Sequence, residues 1–289
     1  MSKKYLLGVD GGTEGLRAGI FDVFGTPLAY ASTSYPTQFP APSWAEQDPN
    51  DWWYALGKSV RKAISDSGIS VDQIAAMAVD TTCCSVVPLD DSGNPVRPAL
   101  IWMDIRSAEQ AEQMVATEDD ALRINSNGSG PVSAEWMIPK ALWIKQNEPE
   151  NFDRAVTICE YQDYINLHLT GRLGASINNV STRWHCDYSR EGVPKSLLEK
   201  LDLGELAEKW PQDVFRLGEL VGGLTPRAAG HLGLTPDLPV VQGGADAQIG
   251  MIGLGVVKPG NLALITGSSH LHLGSVSYTH LTLPTNREV

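Results

Sequence analysis

Apolar and polar positions at the start of the chain alternate in a way that predicts two strands about a tight turn. In YLLGVDGGTEGLRAGIFD, Tyr5 to Asp22, the apolar run Leu6, Leu7 and Val9 ends at Asp10. Gly11 and Gly12 permit a sharp reversal, and Arg17 to Asp22 resumes in strand-like composition. A turn at Gly25-Thr26-Pro27 leads to a third strand near Leu28 to Ser34. After a Pro- and Trp-bearing loop, a helix begins: Asp48 is the N-cap, Pro49 the first helical residue and Asp51 an acid in the first turn. Trp53, Leu56, Val60 and Ile64 supply its apolar stripe.

Ile74 to Val79 reads as a buried strand that delivers the polar run Asp80-Thr81-Thr82-Cys83-Cys84-Ser85 at its end. VVPLDDSGNPVRPALIWMDIR then predicts a strand, a turn and a second strand-like segment finishing at Trp102, Asp104 and Arg106. Ser107 opens a helix with Gln110 in capping-box position, and Pro139 suits the first turn of another in PVSAEWMIPKALW. Val156 to Cys159 is a short strand, and Tyr161 to Leu169 a helix closed by Gly171. Ser176 to Tyr188 reads as a loop with a strand fragment, and Val193 to Trp210 as two short charged surface helices. Thr225-Pro226 caps a further helix ending near Gly233. Leu238 to Gln242 is a strand running into GGADA and the small-residue helix QIGMIGLG, and NLALITGSSHLHLGSV reads as strand, turn and strand.

Composition narrows the class. With 289 residues, 42% of them hydrophobic, the chain can bury one large core or two smaller ones. A net charge of -12 weighs against nucleic acid or an anionic membrane as partner. The four cysteines show no C-x-x-C spacing, so no zinc site is expected and reduced cytosolic thiols are the default. No signal peptide and no membrane-spanning segment are expected.

Two stretches carry candidate chemistry. The first turn offers backbone N–H groups, the Thr13 hydroxyl and the Asp10 carboxylate. Such a concavity suits phosphate, and an aspartate beside it suits a hydrated divalent cation. A plain glycine hairpin with a surface acid is the alternative. The dinucleotide fingerprint that GVDGGTEG imitates should open a helix, whereas strand-like residues follow here. In the second stretch, Asp246 sits in the first turn of a helix after a strand, where it is either a helix-capping acid or a base for a substrate hydroxyl. The small polar groups, thiols and indole at Thr82, Cys83 and Trp102, with the ion-pairing Asp104 and Arg106, suit a polyhydroxy ligand or a satisfied polar cluster.

Taken together, GVDGGTEGLRAGIFD, WAEQDPNDWW, ALIWMDIRSAEQA and GGADAQIG, with ITGSS further on, resemble the FGGY family of carbohydrate kinases over Tyr5 to Val276. DTTCCSVVPLD and SAEWMIPKALW look most like the ribulokinase and pentulose-kinase branch. The resemblance implies an α/β, actin- and hexokinase-like (ribonuclease H-like) fold with a mixed sheet flanked by helices. It implies a sugar-binding N-terminal domain over 1–253 and the first hairpin of a nucleotide domain over 254–276, while 277–289 departs from the family and reads as a non-native tail.

ATP and Mg2+ are the implied cofactors and a ketopentose such as ribulose the implied substrate, in a cytoplasmic enzyme for which a homodimer is allowed. Asp246 would be the general base and Asp10 would hold magnesium through water. Gly11, Gly12, Thr13 and Arg17, with Gly267 and Ser268, would cradle phosphates. Thr82, Cys83, Trp102, Asp104 and Glu135 would line the sugar pocket. Cys83-Cys84 stands where a xylulokinase would show Met-His, which counts against xylulose; the alternatives are a kinase for xylulose, erythritol, glycerol or another polyol, and a non-catalytic sugar-binding relative.

Overall fold

The structure is a computed structural model that describes residues 4–125, 131–190, 192–266 and 270–274. Strands β1 (Tyr5–Gly11), β2 (Gly15–Asp22) and β3 (Pro27–Ser34) form an antiparallel meander. The short β4 (Glu46–Gln47) lies in the stretch expected to be loop. Helix α1 (Pro49–Ser67) starts as the sequence predicts: the Asp48 side chain accepts the Asn50 N–H, and Gly68 ends the helix in the left-handed region at φ 66°. β5 (Ile74–Thr81) returns parallel to β1, completing a crossover through α1.

The middle of the chain holds β6 (Val86–Leu89), β7 (Ala99–Leu100), α2 (Ala108–Ala116), α3 (Met137–Asn147), α4 (Pro149–Arg154), β8 (Thr157–Glu160) and α5 (Tyr161–Thr170). It continues through β9 (Ala175–Ser176), α6 (Ile177–Arg183), α7 (Lys195–Lys200), α8 (Leu206–Lys209), β10 (Val214–Phe215), β11 (Leu220–Gly223) and α9 (Pro226–Leu232). β12 (Pro239–Ala245) leads directly into α10 (Asp246–Gly253), and β13 (Leu262–Thr266) pairs antiparallel with β14 (His270–Gly274).

The main sheet has the order β11-β12-β5-β1-β2-β3, with β12, β5 and β1 parallel. α1, α5 and α9 contribute to one core against it, where Leu7, Val9, Leu16, Ile20 and Val79 meet Trp52, Leu56, Val60, Tyr164 and Leu232. The Trp52 ring stacks on Tyr161 with centroids 3.7 Å apart, and burying such a side chain contributes about 3 kcal/mol. A second core gathers around the sheet β4-β7-β6-β8, with α3, α4, α7 and α8 packed into it.

The chain divides into two compact units, Met1–Asp246 and Ala247–Val289. The second contains the β13–β14 hairpin, in register from Leu262 opposite Gly274 to Thr266 opposite His270.

Three local expectations are corrected. Ser107 stands at the N-cap of α2 as expected, but no capping box forms: its hydroxyl donates to the Ala134 carbonyl at 2.7 Å and Gln110 bonds Gln146, so tertiary partners displace it. Residues 177–183 are helical, with Asn179 and Val180 turned inward; Asn, Ser and Thr weaken helix propensity, and packing overrides it. The helices between 195 and 209 are not surface decoration, because Leu197, Leu198 and Leu206 are fully buried in the second core.

Candidate functional site

The C-terminal ends of the parallel strands β1, β5 and β12 bring three carboxylates to one edge of the main sheet. Asp10 and Asp80 are register partners, and Ala245, which precedes Asp246, lies opposite Thr81. The end of β12 is held by the 176–183 segment: the Ser176 hydroxyl donates to the Gly243 carbonyl at 2.9 Å, and the Asn178 side chain accepts the Ala245 N–H at 2.9 Å. Asp246 follows as the first residue of α10.

Asp10 is half-exposed and forms an ion pair with Arg17, its opposite number on β2. The bond and charge of Asp10 raise the Arg17 pKa, with Asp246 adding a smaller contribution. Asp80 is half-buried, yet its Oδ1 is shut off from solvent and has no hydrogen-bond partner among the described residues. Burial first, then the charges of Asp10 and Asp246, push the Asp80 pKa up to about 8, with Arg17 opposing them. The carboxylates distant in sequence therefore share one electrostatic environment.

The turn after β1 is pinned from several sides. Tyr35 donates its hydroxyl to the Gly12 carbonyl, and Gln47 donates to the Thr13 carbonyl at 2.7 Å. Trp102 donates its indole N–H to the Thr13 hydroxyl at 2.9 Å, joining a residue expected at phosphate to one expected at sugar. A Cβ on Gly12 would press within 3.3 Å of both the Arg17 guanidinium and the Gly15 carbonyl. The N–H groups of Thr13 and Glu14 have no partner among the described residues, the arrangement an anion site requires.

The chemistry of these donors fits a phosphate with a hydrated divalent cation, for which Asp10 would be the holding residue. Among the described residues no three His, Cys, Asp or Glu side chains are grouped to hold a metal ion. Gly11 belongs to the same turn, packed against Tyr161 and Thr81. Gly267 and Ser268 lie outside the described residues.

On the other side, Thr82 donates its N–H to the Gly11 carbonyl at 2.9 Å, and its hydroxyl lies 3.4 Å from that of Ser85. Cys83 and Trp102 are half-buried. Glu135 is also half-buried, and its charge reaches Lys140. Asp104 is fully buried instead: its oxygens accept from Arg106 Nε and Nη2 at 2.7 to 2.9 Å and from the Ala45 N–H at 2.7 Å. Arg106 in turn reaches Glu46 and stacks over the Trp44 ring at 3.7 Å. Both Asp104 oxygens are therefore engaged within the protein.

Several charged groups went unnoticed in the sequence. Lys140, fully buried, donates to the carbonyls of Cys84 and Ile101, both at 2.7 Å; burial pulls its pKa down to about 8. Glu160 accepts from the Trp184 indole at 2.7 Å, the Cys84 N–H at 3.0 Å and Asn179 at 3.2 Å, while burial raises its pKa. The Arg183 charge acts on Cys83 and Glu160. Only Lys140 gave a signal, as a cation amid the apolar residues Met137, Ile138, Ala141 and Leu142. Two further concavities, about 410 Å³ beside His185 and about 450 Å³ beside His168, share no lining residue with the carboxylate edge.

Fold and site define the class first: this is an α/β domain of the actin-like ATPase fold. A xylulose kinase of Rhodospirillum rubrum superposes with a TM-score of 0.81 at 26% identity, over 90% of this chain and 53% of that one. Residues 5–253 match the N-terminal domain of the FGGY family of carbohydrate kinases, and the chain belongs to that family. A ribulokinase of Geobacillus thermodenitrificans is 31% identical over 303 residues, covering 94% of this chain and 53% of the relative. A xylulose kinase of Escherichia coli is 27% identical over 278 residues, covering 96% and 55%. The chain thus spans about half the length of the curated relatives it matches.

Proposed function

We propose that this chain is the sugar-binding part of an ATP-dependent kinase that phosphorylates a hydroxyl of a ketopentose such as ribulose. The observation that carries this reading is the meeting of Asp10, Asp80 and Asp246 at one sheet edge, beside a turn with free N–H groups. Asp246, at the start of α10, accepts the proton of the attacking hydroxyl. Asp10 would hold the cation through water, and Gly11, Gly12, Thr13 and Arg17 would receive phosphate. When bound, Mg2+ would supply charge neutralisation to the phosphates.

Thr82, Cys83, Trp102 and Glu135 bind and orient the sugar, with Asp104 behind them. Positioning of hydroxyl against phosphate then accounts for most of the rate. Residues 1–253 form the sugar domain and 254–276 begin a nucleotide domain, a reading supported by the family match ending at 253. A cytoplasmic setting accords with four free cysteines; no helix among the described residues is long and apolar enough to cross a membrane.

Ribulose is preferred because Cys83-Cys84 replaces the Met-His pair expected of a xylulokinase, while similarity to xylulose kinases keeps xylulose as the second reading. A coupled ADP-release assay over ketopentoses, polyols and glycerol distinguishes them, run on this chain and on one extended by a complete second domain. Turnover confined to ketopentoses in the extended chain supports the proposal. Turnover with glycerol and none with any ketopentose would overturn it.

A further inference from the structure

Phosphoryl transfer makes no use of thiol reactivity, yet the arrangement of the two thiols that follow β5 is unusual. Neighbouring side chains on an extended strand point to opposite faces, which would hold adjacent cysteines apart. Cys84 instead takes a φ of 64°, uncommon for a residue with a side chain, and its Sγ comes to 3.7 Å from that of Cys83. Cys83 is half-buried, whereas Cys84, Cys159 and Cys186 are buried. The Arg183 charge acts on Cys83, and Lys140 donates to the Cys84 carbonyl.

We propose that Cys83 and Cys84 form a reactive vicinal dithiol, which low-molecular-weight disulfides oxidise reversibly to a vicinal disulfide at the end of β5. Cys83 is the attacking group. The Cys84 S–H bonded to it lowers its pKa, with the Arg183 charge adding to the effect, and Cys84 is pushed the other way by the same bond and by burial.

The Cys83 thiolate attacks one sulfur of the small disulfide, forming a mixed disulfide and releasing one thiolate. Cys84 then loses its proton and attacks the Cys83 sulfur, releasing the second thiol. The protein pair gives up two electrons and two protons, and the small disulfide becomes two thiols. Capping Cys83 removes the neighbouring negative charge that held the Cys84 proton, and the Lys140 charge favours its loss.

Adjacent Cα atoms stand about 3.8 Å apart, short of the roughly 4.4 Å that unstrained disulfides need. The ring is therefore strained and easily reduced, as suits a reversible modification rather than a structural link. The Cys84 N–H donates to Glu160 at 3.0 Å, so closure also pulls on the turn that carries Thr82 and Cys83. An effect on sugar binding rests on the functional reading above; the thiol chemistry does not.

The test is incubation of the chain with oxidised glutathione, followed by acid quenching and peptide mass spectrometry. The peptide holding Cys83 and Cys84 should lose two hydrogens and carry no lasting adduct, dithiothreitol should restore it, and Cys159 and Cys186 should stay reduced. C84S should trap glutathione on Cys83. R183Q should slow the reaction measurably, because the Arg183 charge favours the Cys83 thiolate. No reaction, a stable adduct on Cys83 of the unaltered chain, or equally fast oxidation of Cys186 would overturn the proposal. Ribulose titration of the oxidised and reduced chain separates the two readings: a ring that forms in a chain binding no ribulose in either state upholds the dithiol and removes the ribulose assignment.

Discussion

Asp80 on β5 stands beside Asp10 on β1, which in turn faces Arg17 on β2, so acid, acid and base run across three neighbouring strands. Only Asp10 of the two acids is bonded to the guanidinium. The other keeps its proton to a pH near 8, for reasons of burial and like charge.

That arrangement sets a pH dependence. The folded-state pKa of Asp80, about 8, lies above the unfolded value of about 3.9, so between them the folded protein binds more protons. The Asp80 contribution to stability is therefore present at acid pH and is lost as pH rises through 8. D80N should flatten this fall, by an amount on the order of a few kcal/mol, in melting curves taken from pH 5 to 9. Parallel curves for the two proteins would show that Asp80 ionises normally.

Asp246 is assigned the proton-accepting role, and D246N removes the base while keeping its shape. In a chain with a complete second domain, kcat should fall about 100-fold or more, with sugar affinity by calorimetry changed by less than about threefold. Undiminished turnover would remove Asp246 from the chemistry.

Asp104 presents the opposite case. Its carboxylate is enclosed with Arg106, and loss of one partner from a buried pair costs about 3 kcal/mol or more. D104N should lower the melting temperature markedly and leave the sugar KM of the folded enzyme near its original value. A large KM change with normal stability would place Asp104 at the ligand instead.

Gly243 lies where β12 passes close to β5. A side-chain Cβ there would be driven into the Val79 carbonyl, which Gln162 also occupies as a donor. G243A should cost several kcal/mol and reduce the yield of folded protein, since backbone cannot yield as a flexible side chain does. Near-normal melting would mean that the strands can part without penalty.

Local chemistry made much of this legible. Asp48-Pro49 and Gly68 bracket α1 as capping rules require, and Gly171 and Gly233 end their helices in the left-handed conformation. The family resemblance was also readable, because its motifs are continuous in sequence. Residues 177–183 were not: an Asn- and Ser-rich run has little helical preference of its own, and becomes a helix by burying Val180 and Asn179. Ser176 and Asn178, which hold the strand leading to Asp246, were missed for the same reason.

By itself, the sequence determined where strands end in small polar turns and which carboxylates follow them, since periodicity and turn chemistry act over a few residues. The tertiary structure decided which of those acids meet. Asp80 acquired its raised pKa only because β1, β5 and β12 lie side by side, and Asp104 is enclosed because Arg106 and the Ala45 N–H come to its oxygens. Burial and charge proximity depend on contacts between residues far apart in the chain, and no local pattern encodes them.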